Sequence, residues 1–280
     1  VYDRASNVTQ KITSNLRAES KAIQYDYQYN RLDSITYPNY PDNDVTYTYG
    51  APSMMGQPGN RVGRIIEVTD ESGVEERAYG KLGELTQQTK TVASDTLGNS
   101  DNSPEVWTTS YVYDTWGRLQ QMTYPDGEVL TYTYDSGGLV SAVNGEKLGN
   151  PYPYVQRLEH DKFAQRAYLV AGNGVPTTFH YDAEDRRLTQ LLAGDFQDLR
   201  YQYDKVGNIL TLQNQVGVAP PQSFGGPVEQ AFVYDDLNRL TSASGQWRYS
   251  PNNTDRYELT QSYDTIHNIL HKNQRHEVLE

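Results

Sequence analysis

Carboxylates offer the first chemistry to weigh in this chain. Asp114, Asp135, Asp161, Asp182, Asp204, Asp235 and Asp264 each follow a tyrosine or a histidine. Two such groups at a set separation would suffice for glycoside hydrolysis. His267, His271 and His276 lie near Glu277, but their spacing is not the His-Glu-x-x-His that sets two imidazoles on one helical face. Gly172-Asn173-Gly174-Val175-Pro176 is glycine-rich, yet no helix pattern follows to present backbone N–H groups to a phosphate. Neither Ser nor His stands in a nucleophile-elbow context.

The aspartates share one surrounding, and it is a turn. Tyr113-Asp114-Thr115-Trp116-Gly117-Arg118-Leu119, Tyr203-Asp204-Lys205-Val206-Gly207-Asn208-Ile209, Tyr234-Asp235-Asp236-Leu237-Asn238-Arg239-Leu240 and Tyr263-Asp264-Thr265-Ile266-His267-Asn268-Ile269 follow one seven-position plan. Tyr134-Asp135 with Gly138, Tyr181-Asp182 and His160-Asp161 open further copies. Asp at the start of a type I turn accepts hydrogen bonds from N–H groups ahead of it. Position five calls for a left-handed backbone, tolerated best by Gly, Asn, Asp and His. It is read as Gly117, Gly138, Asp185, Gly207, Asn238 and His267, with Ala164 and Ser6 the poorer fits. The plan predicts a type I turn closed by a Gly-type bulge. The aspartates are therefore read as turn residues, His267 as a turn histidine, and no catalytic, cofactor or metal site is assigned.

Strands must hold these turns. Val129-Leu130-Thr131-Tyr132-Thr133-Tyr134 alternates β-branched and aromatic residues with period two, as do 24–29, 45–49 and 201–203, which is a strand signal. Helix-period segments of useful length are absent. Tyr124-Pro125-Asp126-Gly127 and the longer Tyr37-Pro38-Asn39-Tyr40-Pro41-Asp42 supply return turns. After the first turn, apolar residues recur three apart, as in Leu32/Ile35, Leu119/Met122 and Leu188/Leu191. Three is the wrong spacing for one face of a flat strand, so either a bulge or a sheet apolar on both faces is implied.

Copies begin 21 residues apart from Tyr113 to Tyr134 and from His160 to Tyr181, 22 from Tyr181 to Tyr203, and 31 and 29 to Tyr234 and Tyr263. The excess falls in Gly/Pro/Ser-rich stretches such as 218–227, read as loop insertions on a regular frame. Residues 50–104 are a degenerate zone with loop-like 51–60 and polar 94–104, although Tyr79-Gly80-Lys81-Leu82-Gly83-Glu84-Leu85 keeps the frame with Gly in place of Asp. Residues 1–280 are thus read as one repeat array, in which each unit packs on its neighbours.

Composition agrees. There are 24 Tyr against 5 Phe and 3 Trp, and hydrophobic residues make up only 36%, which suits a thin sheet wetted on one face better than a thick dry core. A net charge of −12 argues against nucleic acid, whose phosphates need concentrated Lys and Arg. With no cysteine there is neither a disulfide framework nor a thiolate metal site. No apolar run approaches the roughly 18 residues of a membrane span.

These phrases resemble the YD-repeat, or Rhs-repeat, family, above all 113–127, 203–210 and 234–242. The similarity covers nearly the whole chain and is weakest at 50–104. The family includes bacterial Rhs polymorphic toxins, C components of insecticidal toxin complexes, wall-associated proteins and teneurins. The resemblance implies an all-β fold in which a strip of antiparallel β-hairpins spirals into a solenoid-like shell wall. It implies a non-enzymatic segment of a larger protein, secreted or displayed by a bacterium, that encapsulates or presents a C-terminal toxin domain. Its partners would be the rest of its own shell and that toxin, with no cofactor. An acidic wall suits a basic cargo. A carbohydrate- or cell-surface-binding module is the alternative, because exposed tyrosine rows stack on sugars. One departure matters: the family's Asp-Pro-x-Gly autoproteolytic motif has no counterpart here, since no Asp-Pro dipeptide occurs. Val1-Tyr2-Asp3 enters in mid-repeat and Tyr263–Leu270 opens a hairpin near the end. Unpaired strand edges and edge-to-edge association of the fragment are therefore expected.

Overall fold

The computed structural model describes residues 1–92, 104–218, 225–250 and 252–279. Most of the polar 94–104 stretch and the middle of the 218–227 insertion lie outside the described residues. The rest is antiparallel β-structure in two compact units, Val1–Tyr132 with Gly145–Pro151, and Thr133–Asn144 with Tyr152–Glu280. A five-residue helix at Ser14–Ala18 interrupts the first unit, a local excursion that periodicity does not announce.

Each unit is a meander. In the first, strands Ile23–Gln28, Arg31–Thr36, Val45–Tyr49, Ile65–Asp70, Gly73–Tyr79, Leu85–Val92, Glu105–Tyr113 and Leu119–Thr123 each pair with the next in sequence. In the second, the same holds from Asn150–His160 through Arg166–Ala171, Pro176–Tyr181, Leu188–Ala193, Gln197–Tyr203, Ile209–Asn214, Val228–Tyr234, Leu240–Arg248, Thr254–Tyr263 and Ile269–Leu279. Successive antiparallel hairpins place every Tyr-Asp turn of a unit on one rim and the return loops on the other.

Register resolves the three-residue spacing in favour of a bulge. Val112 faces Gln121 while Tyr113 faces Leu119, so Gln120 is the extra residue. The same slip follows Tyr27, Tyr181, Tyr203, Tyr234 and Tyr263, with Asp33, Thr189, Leu210, Thr241 and Leu270 as the extra residues. The slip turns a separation of three into same-face placement, so Leu119 and Met122 share a face.

The ladders are one layer thick. The substantial strand-to-strand contacts are all between sequence neighbours. Among the described residues Leu130, Ala193 and Ala243 are the buried apolar side chains, and no large side chain is fully buried. Accessible surface is 18715 Å², whereas a compact monomer of this mass would expose about 12,000 Å². Burial is lateral: in Thr254–Tyr263, half-buried Tyr257, Leu259, Gln261 and Tyr263 alternate with exposed Arg256, Glu258, Thr260 and Ser262. Each half-buried residue leans on cross-strand partners of its own face.

Candidate functional site

The repeat residues converge on the turn rim. At Asp235, Oδ1 accepts from the N–H groups of Leu237 (3.0 Å) and Arg239 (2.9 Å), and Oδ2 accepts from Arg239 Nε (2.7 Å). Asp114 repeats this with Trp116, Arg118 and Arg118 Nε at 2.9, 3.0 and 2.7 Å. Where position six is Asn, its amide substitutes for the guanidinium: Asn208 Nδ2 donates to Asp204 Oδ2 and Asn268 Nδ2 to Asp264 Oδ2, both at 2.8 Å. Asp135 accepts from Leu139 N at 2.9 Å. The carboxylate thus satisfies N–H groups that a tight turn leaves without backbone partners.

Backbone closure is equally regular. Gly117 N donates to Asp114 O at 3.0 Å and Asp114 N to Arg118 O at 2.9 Å, a type I turn followed by a bulge. Position five is left-handed, with φ of 67° at Ser6, 76° at Gly117, 82° at Gly138, 62° at Ala164, 103° at Gly207, 59° at Asn238 and 70° at His267. The Asp185 assignment is corrected. The turn after Tyr181 holds one more residue, Asp182 N pairs with Arg187 O, and the left-handed residue is Arg186 at φ 59°. Tyr181 accordingly faces Leu188, seven positions on, whereas Tyr113 faces Leu119, six on. Asp185 instead accepts from Arg187 N at 3.0 Å.

Sequence reasoning missed what the tyrosines do. Four of the phenols reach back one repeat to the main chain: Tyr49 to Leu32 O (3.0 Å), Tyr181 to Arg166 O (2.9 Å), Tyr203 to Leu188 O (2.9 Å) and Tyr263 to Leu240 O (2.7 Å). The acceptor is the first or second residue of the strand after the preceding turn, whose carbonyl lies beside the bulge. Phe could not make this bond, and that explains the excess of Tyr.

Position six reaches forward in turn. Arg239 Nη1 donates to Asp264 O at 3.0 Å and the guanidinium lies 4.7 Å from the Tyr263 ring centroid. Arg187 donates to Asp204 O at 2.7 Å and lies 5.6 Å from the Tyr203 ring. Asn208 Nδ2 also meets Asn238 Oδ1 at 2.9 Å. Backward tyrosines and forward arginines or asparagines stitch neighbouring hairpins where no ladder bond reaches.

Charge states follow. Donation by the Arg118 backbone N–H holds the Asp114 carboxyl below its usual value, and the Arg239 N–H does the same for Asp235. The Asn268 amide lowers Asp264, and the N–H groups of Asp185 and Glu184 lower Asp182. At Asp204 burial pushes upward but is outweighed by Asn208 and the turn N–H groups. Burial raises the phenols of Tyr113, Tyr181, Tyr203 and Tyr234. Carboxylates held ionised by this many donors are poor proton carriers.

Other sequence candidates do not assemble. His271 and His276 face Ser262 and Tyr257 along one strand, and their odd separation puts them on opposite faces. No group of three His, Cys, Asp or Glu among the described residues is placed to hold a metal. Gly174 N closes a hairpin on Ala171 O at 2.9 Å with Gly174 at φ 80°. A shallow depression of about 350 Å³ lies over Ala231 and Ser244 between Glu229, Arg256 and Glu258. Gln246 Nε2 donates to Glu229 Oε2 there at 2.6 Å. No described helix is long and apolar enough to cross a membrane.

These features define a class, the antiparallel β-hairpin repeat protein with interlocked turns. Residues 107–129 and 113–146 match the RHS Repeat family model, so the chain carries YD/Rhs repeats there. It is 35% identical over 156 residues to toxin subunit YenC1 of Yersinia entomophaga, covering 51% of this chain and 16% of that protein. Toxin subunit YenC2 of the same organism is 31% identical over 168 residues, covering 53% and 16%. The fold is shared with the solved TcdB2-TccC3 without its hypervariable C-terminal region, at TM-score 0.78, 21% identity and 99% of this chain against 15% of that one. The Photorhabdus luminescens Tc holotoxin pore gives TM-score 0.76 and 21% identity over 99% of this chain and 15% of that one. The chain therefore spans about one sixth of the length of the relatives it matches. The matches point to a structural repeat and to no enzyme family.

Proposed function

We propose that this chain is a non-enzymatic wall segment of a larger YD/Rhs-repeat protein, one array across both units, which encloses or presents a C-terminal toxin domain. The observation that carries the reading is the single-layer ladder: among the described residues only Leu130, Ala193 and Ala243 are buried apolar side chains, yet several hairpins are locked to their neighbours by Tyr263-type and Arg239-type bonds. Such a sheet gains stability from lateral pairing and leaves its faces free for a guest. Relatives that are toxin subunits support the reading, as does a fold shared with TccC3-containing assemblies. An exported or surface-displayed location follows from the same reading.

The glycan-binding alternative asks the repeat tyrosines to offer free ring faces. In the rim, Arg31, Arg187 and Arg239 lie over Tyr49, Tyr203 and Tyr263, and those hydroxyls donate inward. The test is protease protection of the C-terminal region in the full-length parent. The region should resist cleavage until the array is disrupted. Equal cleavage of the free and the array-linked region would refute the proposal.

A further inference from the structure

At several junctions position six sends a donor onto the next turn. Arg187 reaches Asp204 O beside the Tyr203 ring, and Arg239 reaches Asp264 O beside the Tyr263 ring. Gln165 Nε2 reaches Arg186 O at 2.9 Å. Ahead of the turn at 113–119 the same slot holds Glu84, whose carboxylate accepts and does not donate. Its Oε2 takes Leu82 N at 2.9 Å, and its Oε1 has no hydrogen-bond partner among the described residues.

The seat that a guanidinium takes elsewhere is left open at this junction. A Cβ on Gly207 would come within 3.4 Å of Arg187 Nη2, and one on Gly83 within 2.5 Å of Arg64 Nη2, whereas one on Gly117 meets nothing within 4 Å. A cavity of about 250 Å³ lies there, lined by Leu82, Glu84, Thr86, Tyr111, Tyr113 and Asp114. Among the described residues Asp114 O accepts Gly117 N alone, while Asp204 O and Asp264 O each take a guanidinium as well as a turn N–H. No described cation lies over the Tyr113 ring. Burial first, then Tyr111 and Glu84, raise the Tyr113 phenol, so the Glu84 carboxylate stands close to that ring.

We propose that this cavity binds the guanidinium group of an arginine supplied by another polypeptide, seated against Tyr113 between Glu84 and Asp114 O. The carboxylate matches two N–H groups of the planar fork, and the ring face attracts the cation. Leu82, 83% exposed at the lip, gives the methylene stem an apolar surface to lie on. An ammonium brings the charge without the fork, so lysine binds more weakly. The inference does not rest on the wall reading.

The test titrates the 280-residue chain with N-acetyl-L-arginine N-methylamide and follows the backbone amide NMR shifts of Leu82, Gly83 and Gly117. Saturable shifts centred on these two turns are expected, and the neutral citrulline analogue should give none. Glu84→Gln keeps an oxygen for Leu82 N but loses the charge, and should weaken binding at least about tenfold. Gly80→Asp/Glu84→Arg fills the seat from within the chain and should abolish binding in a protein whose spectrum stays folded. Absence of saturable shifts up to the solubility limit of the probe overturns the proposal. So does citrulline binding as well as arginine, or arginine binding that Glu84→Gln or the filled seat leaves unchanged.

Discussion

The turns at Tyr234–Leu240 and Tyr79–Leu85 reach the same geometry by opposite routes. In the first, Asp235 at position two binds the turn N–H groups and Arg239 at position six extends to Asp264 O. In the second, position two is Gly80, and the carboxylate comes from position six: Glu84 Oε2 accepts from Leu82 N at 2.9 Å. Closure is unchanged, with Gly83 N on Gly80 O at 3.1 Å and Gly83 at φ 92°. A Cβ on Gly80 would lie 1.8 Å from Glu84 Oε1, so any larger residue there would push the Glu84 carboxylate off the turn. The frame therefore requires a carboxylate over the turn and is indifferent to which position supplies it. The exchange has a consequence: a glutamate folded inward cannot extend a guanidinium to the next hairpin.

Acid should break the Asp turns together, and this is the largest expected effect. The folded-state carboxyls of Asp114, Asp182, Asp204, Asp235 and Asp264 are lowered. Their contribution is complete above the unfolded value of about 3.9 and is lost as pH falls through the folded values. Thermal melts should be flat from neutral pH to about 5 and drop steeply below about 4. A melting temperature that held under strong acid, well below the folded carboxyl values, would contradict the turn role.

Gly80→Ala comes next, costing about 1 kcal/mol by displacing the Glu84 carboxylate from Leu82 N. Gly80→Asp/Glu84→Arg installs the ordinary pair and should match or exceed wild type in a denaturant titration. A double variant no better than Gly80→Ala would show that the two turns are not interchangeable.

Tyr263→Phe removes the bond to Leu240 O and should cost about 1 kcal/mol in the same titration. Tyr113→Phe, where no hydroxyl bond to Leu85 forms among the described residues, should be nearly neutral. Smallest is Arg239→Lys, which keeps the charge but loses the fork to Asp235 and the ring contact, at about 0.5–1 kcal/mol.

Much of this was legible in the sequence because it is local. Alternation announced the strands, and Asp followed three residues later by Gly or Asn announced the turn. The extra residue after Tyr181 was hidden because Asp185 is itself an acceptable left-handed residue, so the shorter alignment looked satisfied. Glu84 left a signal that could have been read, a carboxylate appearing at position six just where position two lost one. The targets of Tyr263 and Arg239 lie 23 and 25 residues away. They depend on which hairpin lies alongside, and no local pattern encodes that.

The slipped residue after each tyrosine has an evolutionary corollary. Every copy brings its own half-step, so inside and outside are reset once per module rather than inherited from the chain before it. Recombination can then duplicate or delete whole modules without inverting those downstream. Loss of Gln120 or Thr241 alone would turn the rest of its strand over.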